Sequence, residues 1–139
     1  MPQAFNKFNC FVEDVAEKVH NLGSDTIKGV LTNTAPVATN TVLANITQIA
    51  NGNGYTTGGA QATQSSSAQT SGTYKLVLAD ITWTATGAMG PFRYLVLYND
   101  TSTSDSLIGW YDYGSSETLN TGETFTADFD ATNGVLTIV

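Results

Sequence analysis

The chain has 139 residues, a formal net charge of −7 and one cysteine. Its length fits one domain that buries roughly 70% of its unfolded surface, read as a single unit over 1–139 with a helical segment at 1–25 and a β-rich body at 26–139. Five scattered basic residues argue against a phosphate-tracking nucleic-acid surface, a lone cysteine rules out an internal disulfide, and no apolar run reaches the roughly 18 residues of a membrane span.

Charged residues make up 12% of the chain, about half the usual roughly 25%. Their place is taken by 22 Thr, 13 Gly and many Ser and Asn, which suit strands and turns. Up to Arg93 five acids balance five bases; from Tyr94 to Val139 there are seven acids and no base. That segregation predicts a two-sided molecule with a neutral portion and an anionic one. The start, Met1-Pro2-Gln3-Ala4-Phe5, lacks the basic and apolar regions of a signal peptide, so synthesis and folding in a cytoplasm are expected.

One segment reads as helix. Phe8, Phe11, Val12, Val15, Val19 and Leu22 recur at helical spacing over residues 6–22. Asn6 or Asn9 is placed to cap its start and Gly23 to end it, with Asp14 and Lys18 as a favourable exposed pair. Residues 26–32 read as a short strand stopped by Asn33-Thr34-Ala35-Pro36, and 42–50 as a short helix on the spacing of Val42, Ile46 and Ile49. Residues 60–72 are Ser/Thr/Gln-rich and read as either a surface strand or a mobile loop. From Thr73 onward, six β segments are bounded by turn residues, at 74–79, 81–85, 92–98, 107–113, 124–129 and 135–139. Residues 92–98 are apolar on both faces apart from Arg93, which marks a central strand covered on both sides. The fold class is therefore mainly β: an antiparallel β-sandwich or jelly-roll-like domain with one N-terminal α-helix.

Residues able to do chemistry are few. His20, the only histidine, reads as an exposed helix-end side chain. Cys10 lies opposite the apolar stripe, with no second histidine to activate it; one His and one Cys do not make a zinc site. The oxygen-rich loop Asn99-Asp100-Thr101-Ser102-Thr103-Ser104-Asp105 invites a calcium reading, but lacks the EF-hand spacing and reads better as a polar hairpin loop. Asp112, Asp128 and Asp130 are assigned to strands, where a glycosidase pair is conceivable; alternation places Asp128 opposite Phe125 and Phe129, on a solvated face. Gly52-Asn53-Gly54 and Gly58-Gly59 match neither the P-loop nor the dinucleotide fingerprint. Tyr94, Tyr98, Trp110, Tyr111 and Tyr113 are candidates for a sugar-stacking platform, though alternating strand aromatics are more often core and interface. The expectation is no enzyme, with no catalytic, cofactor-binding or metal residues and no cofactor.

Two groups of residues carry a family resemblance. Asn6-Lys7-Phe8, Ala16-Glu17-Lys18-Val19-His20-Asn21-Leu22-Gly23 and Leu31-Thr32-Asn33-Thr34-Ala35-Pro36 form one; Gly90-Pro91-Phe92-Arg93-Tyr94, Leu97-Tyr98-Asn99-Asp100 and Ile108-Gly109-Trp110 form the other. Together they resemble small virion proteins of tailed bacteriophages over nearly the whole chain, with residues 60–72 the least characteristic part. Within that group the chain is most similar to capsid decoration, or cement, proteins. The resemblance implies a place on the outside of the assembled head, over joints between major capsid subunits, commonly as a homotrimer, with neither nucleic acid nor membrane as partner. These motifs are structural, so no functional residue is carried over from them. The alternative from another class is a tail, baseplate or head-fibre module that recognises a host glycan through aromatics.

Overall fold

The structure, a computed structural model, describes residues 3–139. Met1 and Pro2, where the reading of the N-terminus begins, lie outside the described residues. Ten strands lie among the described residues: β1 (Asn6–Lys7), β2 (Ile27–Thr32), β3 (Ala60–Gln61), β4 (Gln64–Thr70), β5 (Thr73–Leu78), β6 (Ile81–Thr84), β7 (Met89–Asn99), β8 (Leu107–Leu119), β9 (Thr124–Ala127) and β10 (Leu136–Ile138). One α-helix, α1 (Cys10–Ala16), lies between β1 and β2.

All strand pairings are antiparallel. They form a five-stranded sheet in the order β1-β8-β7-β2-β3, a three-stranded sheet β10-β5-β4 and a two-stranded sheet β6-β9. The main core joins all three: Leu95 and Leu97 of β7 meet Leu76 and Leu78 of β5, with Trp83 of β6 and Phe125 of β9. The result is a β-sandwich-like domain, mostly strand, with one short helix. All six β segments expected after Thr73 are strands, as is 26–32, and 60–72 resolves as strand.

The apolar character of β7 on both faces follows from its place between β8 and β2. Leu95 and Leu97 point into the main core, whereas Val96 and Tyr98 point into a second cluster with Phe8, Val30, Ile46 and Leu107. Alternation thus produces two apolar faces because each has its own cover.

The helical reading needs correction. α1 has seven residues, and Phe8 precedes it in extended chain, its N–H donating to Ile108 O. Phe8, Phe11 and Leu22 are buried, but Val12 and Val19 are exposed and Val15 is only half-buried. Asn9 stands at the start without a side-chain cap, and Asn6 donates from β1 to Trp110 O. The helix stops at a Schellman turn: Lys18 N–H donates to Val15 O and Val19 N–H to Asp14 O, with Lys18 at φ 68°. A lysine in the left-handed region gives no sequence warning. It also takes Lys18 off the helix, so the Asp14–Lys18 helical pair is not made.

Residues 42–50 are likewise not a helix. They contain a single 3-10 turn at Leu43–Asn45, where Asn45 Oδ1 accepts from Thr41 N–H and Val42 N–H. Beyond it Gln48 bridges Thr32 and Ile49 N–H donates to Leu31 O. The segment therefore runs beside the end of β2 and covers the second cluster with Ile46. Asn and Thr compete for the backbone through their side chains, which overrides a weak helical spacing.

The two-sided charge distribution is not reproduced in space either. The acidic last third interleaves with the neutral part, because β8 pairs with β1, β7 with β2 and β10 with β5. Lys28 Nζ lies 3.1 Å from Asp100, and Arg93 Nε 2.8 Å from Asp112.

Candidate functional site

The sequence placed His20 at an exposed helix end; the structure buries it. Its side chain is 0% exposed, stacked on Phe11 with ring centroids 5.5 Å apart. Nδ1 lies 3.0 Å from Asn99 Nδ2, and the same Nδ2 donates to Asp25 Oδ2 at 2.7 Å. Nε2 has no hydrogen-bond partner among the described residues; Asp14 Oδ2 is 3.9 Å away. Burial pushes the imidazole pKa below its ordinary value, partly offset by Asp14 and Asp25. The correction has the same origin as the shortened helix. Once Lys18 turns the chain, His20 is carried back over Phe11 instead of out along a helix.

Cys10 is also not on a solvent face. It packs against the second cluster, with Sγ 3.7 Å from Thr41 O and 3.8 Å from Leu107 O. Burial, then Asp14, pushes its thiol pKa up, so the protonated, weakly nucleophilic form prevails.

The loop after β7 is organised from within. Asn99, fully buried, accepts Thr101 N–H at 2.9 Å and Ser102 N–H at 3.2 Å on Oδ1. Ser102 Oγ donates to Asn99 O and accepts Ser106 N–H. The side-chain oxygens of Asn99 and Ser102 therefore already serve the backbone, and Asp100 faces Lys28. Among the described residues no three His, Cys, Asp or Glu side chains gather in a metal-holding group.

Asp128 and Asp130 line one small cleft with Tyr111 and Phe129, and Asp112 is not part of it. Asp112, on β8, forms a bidentate pair with Arg93 at 2.8 and 3.1 Å. That pair and the Gly114 N–H hold its carboxyl below the usual range. Asp128 and Asp130 follow the end of β9 rather than lying on a strand. Asp128 is exposed, opposite the buried Phe125 and Phe129. Asp130 caps a turn, accepting Thr132 and Asn133 N–H at 2.8 Å each, and its pKa is lowered by those bonds.

The aromatics divide as well. Tyr98 and Tyr111 are buried, and desolvation pushes both phenols well above their ordinary value. Tyr94 is cross-strand from Asp112 and Val96 from Trp110, on the face opposite Tyr111. Trp110 tilts onto Phe8, and Tyr113 packs edge-on against Phe125. One continuous stacking platform is thereby lost. The glycine loops serve the fold: Gly52 and Tyr55 close a turn, and Tyr55 Oη donates to Gln48 Oε1 at 2.6 Å. Gly58 and Gly59 have positive φ, which glycine adopts without steric cost.

What the structure adds is the exposure of an uncharged stretch of chain. No charged residue lies between Lys28 and Lys75, and most of that span lies outside the core. It contributes the exposed loop residues Ala35, Val37, Thr39, Ala44, Thr47 and Thr57, and all of β4 beyond Gln64. The signal is present in the chain as a gap in the charge pattern. An open cleft of about 550 Å³ adjoins it, between the α1–β2 connection, Ser67, Tyr74 and Ile138. No described helix is long and apolar enough to cross a membrane. Comparison with protein-family models, curated proteins and solved structures gave no match.

Proposed function

We propose that this chain is a capsid decoration protein of a tailed bacteriophage, acting by contact and not by catalysis. It binds the outside of the assembled head as a homotrimer, or at least as a homo-oligomer, bridges neighbouring major capsid subunits and reinforces the shell. The observation that carries this reading is that the uncharged stretch between Lys28 and Lys75 is largely exposed, as loops and strand edge, with Val37 56% exposed. Such a surface covers a partner without stripping water from ions, and its contacts need not follow the partner's charge. The residues that resemble phage virion proteins support the reading from a second side. Most of them lie in framework: Leu31 and Thr32 in β2, Gly90 to Tyr94 in β7, Ile108 to Trp110 in β8.

A protein that binds only the assembled lattice stabilises it by mass action. Particles carrying the protein should therefore survive heating or osmotic shock that opens particles lacking it, and salt should weaken attachment only modestly. Equal survival, or finding the protein only on tails, rejects decoration in favour of host binding. The host-binding alternative rested on the aromatic platform, and Tyr98 and Tyr111 are core residues.

A further inference from the structure

We propose that the free edge of β4, together with the cleft beside it, is the docking surface for a second copy of this chain. β4 is the outer strand of the β10-β5-β4 sheet, and among the described strands it pairs only with β5. Every residue from Ser65 to Thr70 is exposed. An open edge presents unpaired N–H and C=O groups, and folded proteins usually guard it with lysine, proline, a bulge or shortness. The other outer strands follow that rule: β1 and β3 have two residues, β10 three, and β6 and β9 four. The part of β8 beyond its short pairing with β1 carries Asp112 and Glu117 and is broken by Gly114 at φ 99°. β4 has seven residues, no charge and no proline. Its one irregularity falls between Gln64 and Ser66, which leaves Ser66 to Thr70 as a regular, unguarded run.

A second observation lies next to it. The cleft of about 550 Å³ has an apolar part lined by Val15, Val19, Leu22, Tyr74 and Ile138, with Lys18, Asp25 and Ser67 of β4 also on its walls. Val19 and Ile138 are 36% and 38% exposed, and Val139 beyond them is fully exposed. An edge that seeks hydrogen bonds and a partly apolar recess thus adjoin at Ser67.

The chemistry favours a copy of the chain as the occupant. Ser, Thr and Gln side chains both donate and accept, so this strand can satisfy a second one like itself. The molecule carries −7 overall, so two copies are driven apart wherever acids face each other. The three strands of this sheet carry one charge, Lys75, and no acid. Asp25 in the cleft is already engaged by Asn21 N–H and Asn99.

The test uses the full chain, free of particles, by light scattering and sedimentation over a range of concentrations. The expected result is an assembly above the 14.7 kDa monomer mass. Ala68→Glu should weaken self-association by roughly tenfold or more, because a charged side chain on an edge strand must shed water when a second strand covers it. Ala68 is cross-strand from Lys75, so the new carboxylate has a partner within its own chain and the unfolding midpoint should hold. Ile138→Asp should have the same effect from the cleft side, whereas Thr121→Glu, in the exposed turn between β8 and β9, should not. A wild type that is monomeric throughout, or an assembly whose mass survives both substitutions, overturns the proposal. A monomer whose particle binding is lost in Ala68→Glu also overturns it, and assigns the edge to the capsid lattice while leaving decoration intact. A β4-dependent assembly that never binds particles upholds this contact and sinks decoration instead.

Discussion

Asn99 Nδ2 lies 3.0 Å from His20 Nδ1, with both side chains buried, and that contact determines where the histidine keeps its proton. The two backbone N–H groups on Asn99 Oδ1 fix the amide's orientation, so the nitrogen facing His20 is a donor. Nδ1 must then accept, and the neutral ring carries its proton on Nε2. The second hydrogen of the same amide goes to Asp25. One side chain thus ties the turn after α1, the approach to β2 and the loop after β7.

Asn99→Ala should be among the most destabilising single changes outside the apolar core. It leaves Thr101 N–H, Ser102 N–H and His20 Nδ1 without their partner, and each buried polar group left unsatisfied costs about 1–3 kcal/mol. Because the loop can open to water, a net loss of about 2–4 kcal/mol is expected in urea unfolding. A loss below about 1 kcal/mol would show that Asn99 does not organise the junction.

Acid should loosen the same junction. The folded-state pKa of His20 lies below its ordinary value because burial disfavours the charged ring. The unfolded chain therefore takes up the proton first, at about pH 6.5. Stability from this group is complete above that pH and is lost as pH falls toward the folded-state pKa. A protonated ring would also turn an Nδ1–H toward the donor of Asn99. The urea midpoint should fall between pH 7 and pH 5, before most carboxylates titrate, and His20→Gln should flatten that dependence. An equally steep fall in the variant would assign it to other groups.

Much of the strand framework was legible in the chain because alternation of apolar residues reports burial directly. Ile81, Trp83, Phe125 and Ala127 are buried at every second position, as their pattern required. The helical end was misread because the wheel assumes a continuous helix, and Lys18 interrupts it by a backbone conformation that its side chain does not announce. His20 went with it. The charge segregation misled for a different reason: position along the chain does not say which strands pair, and antiparallel order places β8 between β1 and β7. The β4 edge was half visible, since a Ser/Thr/Gln run fits an exposed strand as well as a loop.

Across the central hairpin, Asp112 should titrate below the usual carboxylate range, held there first by Arg93 and then by Gly114 N–H. Arg93→Ala should move that titration upward, read by carboxyl carbon chemical shifts. The stabilising contribution of the pair is present above the ordinary carboxylate pKa and is lost as pH falls through the depressed one. Both side chains are about two-fifths exposed, so salt should weaken the effect. An unchanged titration in the variant would leave Gly114 N–H as the dominant cause.

Two glycines with similar backbone angles should respond very differently to alanine. Gly59 has φ 76°, and a Cβ there would collide with Gly29 O of β2. Gly72, at the β4–β5 turn, has φ 85° and nothing within 4 Å. Gly72→Ala should cost only the left-handed backbone penalty, about 1–2 kcal/mol. Gly59→Ala adds a backbone clash that must push β3 from β2, and a loss of about 4 kcal/mol or failure to fold is expected. Similar losses at the two positions would mean that backbone conformation alone, and not the close approach of β3 to β2, governs Gly59.

The uncharged surface can be probed without disturbing the fold. Val37 is 56% exposed in a turn closed by its own backbone: its N–H donates to Asn40 Oδ1 at 2.9 Å, and Asn40 N–H returns to Val37 O at 2.8 Å. A side chain so exposed is replaced at a cost within about 0.5 kcal/mol, so Val37→Asp should leave the unfolding midpoint unchanged. Against a capsid lattice the same substitution places a carboxylate where the partner meets neutral atoms, and the carboxylate must shed water without gaining a counter-ion. Co-sedimentation with decoration-free particles should then show attachment weakened roughly tenfold, with little recovery on adding salt, because the loss is desolvation and not long-range repulsion. Full recovery at high salt would point to repulsion from an acidic lattice, and undiminished attachment would remove this loop from the contact.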